Sequence, residues 1–289
     1  MARFDVTLAG HAALPSGSFD DRLLADGLRR LGLSVRLAVW NDPTVDWSAG
    51  GVTVLRSTWD YHAEPRRWFD WLDRVSAATS LINAAPLLRW NSEKTYIRDL
   101  RSRGVGCIET VFVAPDEVVR LDGITREHGW RDVVVKPAMG ASARGAARFR
   151  EAAHEVVGQY HLEALQRAGV VLVQPFLPAV ETTRERSLVL IGGRCVSAFT
   201  KPAFNTSLLA ARDIEPHNPQ PHELELALAA VAAAPWPVDY ARVDMVPVDG
   251  EALLMELELI EPDLGLRISS AALSAFVRMC ADAVSSRAG

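Results

Sequence analysis

The run Met255-Glu256-Leu257-Glu258-Leu259 alternates carboxylates with large apolar side chains, and a period of two marks a strand with one apolar and one polar face. Glu256 and Glu258 therefore point the same way, where their mutual repulsion calls for a cation. Upstream, Asp249-Gly250 is a tight-turn dipeptide, and across it Val243 to Val246 reads as a second strand that carries Asp244. Three carboxylates gathered on one hairpin suit Mg²⁺, which takes oxygen ligands and keeps water or phosphate in its shell. A solvated strand face bearing exposed glutamates is the alternative reading.

The rest of the pattern places this hairpin in an α+β chain. Ser187 to Ile191 and Cys195 to Phe199 flank Gly192-Gly193, a second hairpin; an Ala-rich helix, Leu224 to Ala233, lies between the two, and an amphipathic helix closes the chain from Ser270 to Val284. At the other end, strands at Phe4 to Leu8, Val35 to Val39 and Val52 to Leu55 surround a helix with Leu24, Leu28 and Leu31 on one face, entered through a Ser18/Asp21 capping box and stopped at Gly32. This is a small open α/β lobe. In the middle, after Leu81-Ile82, Asn91 is expected to cap a helix running through Lys94, Ile97, Leu100 and Arg103, which would put Lys94 in the first turn. Val133 to Pro137 and Ala147 to Phe149 then flank the small-residue loop Ala138 to Ala146. A helix over Val156 to Leu165 follows, and a strand over Val170 to Val173 runs into Gln174-Pro175-Phe176-Leu177. The expected division is residues 1–90, 91–177 and 178–289.

Composition removes several function classes. A formal charge of −5 and a pI near 5.8 do not provide the broad cationic field that a nucleic-acid backbone requires. No apolar run is long enough for a membrane-spanning helix, and the start Met1-Ala2-Arg3-Phe4-Asp5 leads straight into a strand pattern, so a cytoplasmic location is expected. Three cysteines without CxxC spacing give neither a disulfide framework nor a zinc site. Small-molecule partners remain, and the sequence admits a homo-oligomer.

The loop Gly140-Ala141-Ser142-Ala143-Arg144-Gly145 has the small residues that let backbone amides approach a polyphosphate. Its GxxxxG spacing is not a P-loop, because Ala146 stands where the lysine would follow and a strand comes next instead of a helix. Taken by itself, a plain hairpin turn explains it equally well. Lys136 ends an apolar strand, where a buried ammonium is costly without an anion, and Lys94 sits at a helix start, where the dipole disfavours a cation. Arg56-Ser57-Thr58-Trp59-Asp60-Tyr61 follows the strand Val52 to Leu55. It is either a substrate rim led by Arg56 or a helix entry in which Trp59 and Tyr61 pack on Trp68 and Trp71. His222-Glu223 opens like a zinc-protease motif, but Leu226 replaces the second histidine.

In order, these parts resemble the ATP-grasp superfamily, in particular its prokaryotic glutathione synthetase branch, from about Leu81 to Leu264. Asn91-Ser92-Glu93-Lys94 and Val135-Lys136-Pro137 resemble its two nucleotide-lysine motifs, and Gly140 to Gly145 is similar to its mobile phosphate cover. Gln174-Pro175-Phe176-Leu177 resembles the adenine-reading hinge, and Glu185-Arg186-Ser187 the acidic motif that touches ribose or positions substrate. Asp244, Glu256 and Glu258 resemble its metal ligands. The loop is poorer in glycine than in many members, and Glu258 stands where the branch often carries asparagine. Together, Arg56 to Tyr61 and Leu257 to Pro262 more closely resemble a subgroup that contains the cycloserine synthetase.

The resemblance implies an ATP-grasp α+β fold: an N-terminal α/β lobe, a small lid and a C-terminal catalytic lobe. It further implies ATP and Mg²⁺ as cofactors, an acyl phosphate captured by a nitrogen nucleophile, and Arg242 and Lys201 holding the acyl phosphate or the substrate carboxylate. In the cycloserine-synthetase-like version the substrate is O-ureido-D-serine, closing its own ring. An intermolecular ligase, and a nucleotide-sensing protein without catalysis, are the competing readings.

Overall fold

The computed structural model describes residues 4–141, 143–202 and 213–288. Three sheets organise it. The first is parallel throughout: β1 (Phe4–Gly10), β2 (Val35–Val39), β3 (Gly50–Ser57) and β4 (Ser80–Ile82) lie in the order β2-β1-β3-β4. The helix α1 (Phe19–Arg30) starts at Ser18 with the reciprocal Ser18/Asp21 capping box. After β3, α2 (Pro65–Ala78) buries Trp68 and Trp71 against Trp40 and Tyr61, an aromatic cluster that fixes the lobe's outer face.

The link to the next sheet differs from the sequence expectation. Asn91 does not cap a helix; it ends α3 (Ala85–Asn91), and the following helix, α4 (Tyr96–Ser102), begins only after Lys94. The Asn91 side chain has another task. It donates to the Leu257 carbonyl at 2.8 Å and accepts from the Leu259 amide at 2.9 Å, so one side-chain amide pairs with exposed backbone beside the acidic strand, as a neighbouring strand would. Lys94 lies in the turn between the two helices, and its own backbone amide bonds the Ala138 carbonyl.

The second sheet contains β5 (Val111–Val113), β6 (Asp132–Pro137), β7 (Ala147–Arg150) and β8 (Val171–Pro175) in the antiparallel order β5-β8-β6-β7. One face is covered by α5 (Leu121–His128) and α6 (Gln159–Gln166) around a core of Val133, Val135, Leu121 and Leu162. The helix expected over Val156 to Leu165 is divided: a π-type turn occupies His154–Gly158, and regular α-helix begins at Gln159. A four-residue helix, α7 (Ala179–Thr182), leads out of this sheet.

The third sheet has five strands: β9 (Glu185–Ile191), β10 (Arg194–Lys201), β11 (Glu215–Pro216), β12 (Tyr240–Val248) and β13 (Glu251–Glu258), in the order β11-β10-β9-β12-β13. Both expected hairpins are present. Gly192 and Gly193, and Asp249 and Gly250, all take positive φ, the backbone that two-residue turns require. One face of the sheet packs Leu188, Leu190, Val243 and Leu257 against α4 and α8 (Pro221–Ala232). On the other face, Val189, Ile191 and Tyr240 pack with the N-terminal sheet and the final helix α9 (Ser270–Ala288). Among the described residues the polar stretch of that second face is left uncovered, and the cleft lies there. All three cysteines are free, Cys107 and Cys280 buried, and among the described residues no helix is long and apolar enough to cross a membrane.

Candidate active site

The register of the third sheet brings the expected charged residues to one face. Arg242 faces Glu258 and Asp244 faces Glu256 across β12 and β13; Asp244 faces Ser187 on β9, and Lys201 faces Glu185 across β9 and β10. Side chains directly opposite in an antiparallel pair share a face, so strand pairing alone assembles the group. One oxygen from each of Asp244, Glu256 and Glu258 lies within 4.8 Å of the others.

Asp244 is buried at the centre. Its Oδ1 accepts from Ser187 Oγ at 2.7 Å and Arg242 Nε at 2.9 Å; its Oδ2 accepts from Lys201 Nζ at 2.5 Å and Arg242 Nη2 at 2.9 Å. Burial alone would raise its pKa, but Arg242 and Lys201 outweigh that and hold the carboxyl well below the usual range. Glu258 meets Arg242 Nη2 at 2.5 Å; burial, with Glu256 and Asp244 close by, nonetheless pushes it up to about 7. Lys201 also pairs with Glu185 at 3.3 Å.

The two lysines differ. Lys94 Nζ reaches Glu256 at 2.9 Å and the Gly140 carbonyl at 2.6 Å, and although burial opposes its charge, Glu256 raises its pKa above the ordinary value. The Lys136 ammonium has no hydrogen bond or ion pair among the described residues. Burial, with Lys94 and Lys201 nearby, lowers its pKa. An unpaired ammonium on a cleft wall is suited to an anion.

These groups line a cavity of about 310 Å³, at the lower end of the range for small-molecule sites. Gly140, Ala141, Ala143 and Arg144 from the β6–β7 loop line one side, and Gln174, Pro175, Phe176 and Leu177 another. Gly145 has φ +77°, and a Cβ there would come within 3.2 Å of the Pro137 ring, so the turn needs a glycine. Ser142 lies outside the described residues. Gln174 directs its side chain to Thr110 Oγ1 at 2.8 Å, and the Phe176 ring lies under the Arg148 guanidinium.

Arg56 departs from the expectation of a substrate-facing fork. It is 3% exposed and absent from the cavity wall; its Nε lies 3.3 Å from Asp21, its Nη1 donates to the Pro262 carbonyl at 3.2 Å, and its guanidinium stands over Phe276 at 5.2 Å. Its planar fork ties the first sheet to the segment after β13 and to α9. The two readings of the neighbouring segment divide between residues. Tyr61 packs on Trp68, whereas Trp59 turns to His11 and donates to the Glu261 carbonyl at 3.2 Å; both rings also line the cavity.

Glu261 was not among the expected site residues, yet it lines the cavity at 7% exposure. Strand alternation assigns it to the face opposite Glu256 and Glu258, but β13 ends at Glu258 and the chain bends back before Pro262. The Glu-Pro dipeptide, which marks a strand exit, was the available signal.

With this geometry in view, comparisons with known proteins are informative. Residues 6–83 match the family model described as D-cycloserine synthetase DcsG, N-terminal domain. Over 280 residues the chain is 29% identical to the cycloserine biosynthesis protein DcsG of Streptomyces lavendulae, covering 91% of this chain and 93% of that one. The crystal structure of D-cycloserine synthetase DcsG superposes with a TM-score of 0.88 at 28% identity, over 96% of this chain and 99% of that one. The chain has the ATP-grasp fold and is similar to DcsG over nearly its whole length. Within the ATP-grasp fold, the D-alanine–D-alanine ligase of Bacillus anthracis, solved in complex with ATP, is a more distant likeness: TM-score 0.68, 15% identity, 97% of each chain.

Proposed function

We propose that this ATP-grasp enzyme phosphorylates the carboxylate of an amino-acid-like substrate and lets a nitrogen of the same molecule displace the phosphate, converting O-ureido-D-serine to D-cycloserine. The observation that carries this reading is the charged face of the third sheet within a chain similar to DcsG over nearly its whole length. A free carboxylate has no good leaving group. Transfer of the γ-phosphoryl group to one of its oxygens supplies one, and the tethered nitrogen then attacks the acyl carbon with expulsion of phosphate. Atom balance requires the carbamoyl group left on the ring nitrogen to be lost by hydrolysis, as carbon dioxide and ammonia.

The donor set fits Mg²⁺: three carboxylates with converging oxygens and room for phosphate beside them. Asp244, Glu256 and Glu258 would hold it, and when bound it supplies charge neutralisation on the β- and γ-phosphates. The remaining roles belong to this chain's own groups. Lys94 and Lys136 hold phosphate oxygens, with Gly140, Ser142 and Gly145 covering them. Gln174 to Leu177 form the adenine slot, and Glu185 receives ribose or orients substrate. Arg242 and Lys201 stabilise charge on the acyl phosphate. Residues 1–90 then serve as the substrate lobe, 91–177 as linker and lid, and 178–289 as the catalytic lobe, with Arg56 positioning instead of binding.

Mass spectrometry after incubation with ATP, Mg²⁺ and O-ureido-D-serine tests this. The expected result is ADP and a cyclic product without any added amine; strict dependence on a second amine would establish an intermolecular ligase instead.

A further inference from the structure

The acidic side chains lining the cavity fall into two groups by what they touch. Glu185 pairs with Lys201, Asp244 with Lys201, Arg242 and Ser187, Glu256 with Lys94, Glu258 with Arg242, and Asp263 with Arg267. Glu261 is the exception. It is more than nine-tenths buried and lines the cavity, yet among the described residues its carboxylate has no ion pair and no hydrogen bond from another residue, only one from its own backbone N–H. A buried carboxylate without a partner is costly, and one that faces a ligand cavity is satisfied when the ligand brings the partner. Its position is fixed by the backbone on both sides: the Trp59 indole donates to its carbonyl at 3.2 Å, and Arg56 Nη1 donates to the carbonyl of the next residue, Pro262, at 3.2 Å.

The partner that would satisfy a carboxylate there is a cation. Trp59 and Tyr61 line the cavity beside Glu261, and aromatic faces favour a cation over an anion. The metal-like group Asp244, Glu256 and Glu258 closes without Glu261, whose oxygens are not part of that cluster. The cavity thus offers cationic groups where a polyphosphate and an activated carboxylate would lie, and one unpaired acid on the wall shared with the N-terminal sheet.

We propose that Glu261 is the specificity residue for a free ammonium group on the substrate, receiving the α-amino group of the amino acid whose carboxylate is activated. This rests on the carboxylate-activating reading above and extends it to a substrate group that takes no part in bond making. The carboxylate accepts the ammonium hydrogens while the Trp59 and Tyr61 rings exclude water, so the cost of leaving Glu261 unpaired falls on analogues that lack the amine.

The test compares O-ureido-D-serine with 3-(ureidooxy)propanoate, the same molecule without the amino group, by ADP release in wild-type enzyme and in Glu261→Gln. Wild type should favour the amine-bearing substrate by on the order of 10²-fold or more in kcat/KM. Glu261→Gln should lower that preference to within a few-fold, mainly through KM, while the KM for ATP and the Mg²⁺ dependence stay unchanged. A wild-type enzyme that uses both compounds equally well overturns the assignment without any variant, which covers the case of a misfolded mutant. A Glu261→Gln enzyme that keeps the full preference also overturns it, and so does one whose defect is an altered Mg²⁺ requirement, since Glu261 then serves the metal. ADP release with neither compound, but with other amino acids and added amines, refutes the cyclisation reading; the amine preference is then read on that amino acid against its own des-amino analogue, with the same outcomes deciding.

Discussion

Two polar regions of this chain are built from similar side chains and are used differently. On the open face of the third sheet, Arg242 pairs with Asp244 and Glu258, Glu256 pairs with Lys94, and all of them still border a cavity. At the strand end of the first sheet, Arg56 and Asp21 are also paired and buried, but no cavity reaches them. Access separates the two, since an ion pair on a cavity wall can exchange partners with a ligand, whereas one sealed between a sheet and a helix can only hold them together. The first arrangement suits chemistry, and the second suits geometry.

The contrast is sharpest under mutation. Glu256→Gln keeps shape, removes one carboxylate from the three-acid group and leaves Lys94 without its pair. ADP formation should fall by roughly 10²–10³-fold or more while the melting temperature changes little. Near-wild-type turnover in that variant would remove the face from the catalytic account. Arg56→Met should behave in the opposite way. Breaking a buried pair costs about 3–5 kcal/mol, so denaturant unfolding should shift strongly, and the folded fraction should keep its KM for ATP. An Arg56 variant of normal stability with weakened ATP use would erase the distinction.

Much of the first region was legible from sequence because strand alternation is a local rule. Glu256, Glu258 and the turn at Asp249-Gly250 lie within ten residues, and the pairing that brings Asp244 opposite Glu256 follows from a two-residue turn plus one bulge. The strands of the small α/β lobe, both hairpins and the final helix were legible from equally local patterns. Arg56 was misread because its partners, Asp21, Pro262 and Phe276, are remote in sequence, and no local pattern shows that a polar strand end is covered by a distant helix. Asn91 was misread as a cap because its hydrogen bonds go to Leu257 and Leu259, more than 160 residues away. Glu261 escaped notice because a periodicity rule stops where the strand does.

A smaller effect lies on the rear of the same sheet. Glu223 at the start of α8 is fully buried; burial would raise its pKa, but the Gln220 amide, His217 and Arg186 together lower it. A carboxyl with a depressed folded pKa contributes stability above its unfolded pKa and loses it as pH falls through the folded one. Glu223→Gln should therefore cost roughly 1–3 kcal/mol at pH 7, and the gap from wild type should narrow below about pH 4. A gap independent of pH would show that shape, and not charge, is what Glu223 contributes.

The central claim is that a substrate carboxylate oxygen accepts the phosphoryl group at the charged face. Turnover of O-ureido-D-serine labelled with ¹⁸O in its carboxylate, followed by mass spectrometry of the released phosphate, tests this directly. One ¹⁸O atom should appear in each phosphate, because ring closure breaks the bond between the acyl carbon and that oxygen. Unlabelled phosphate accompanying full product formation would contradict activation through an acyl phosphate.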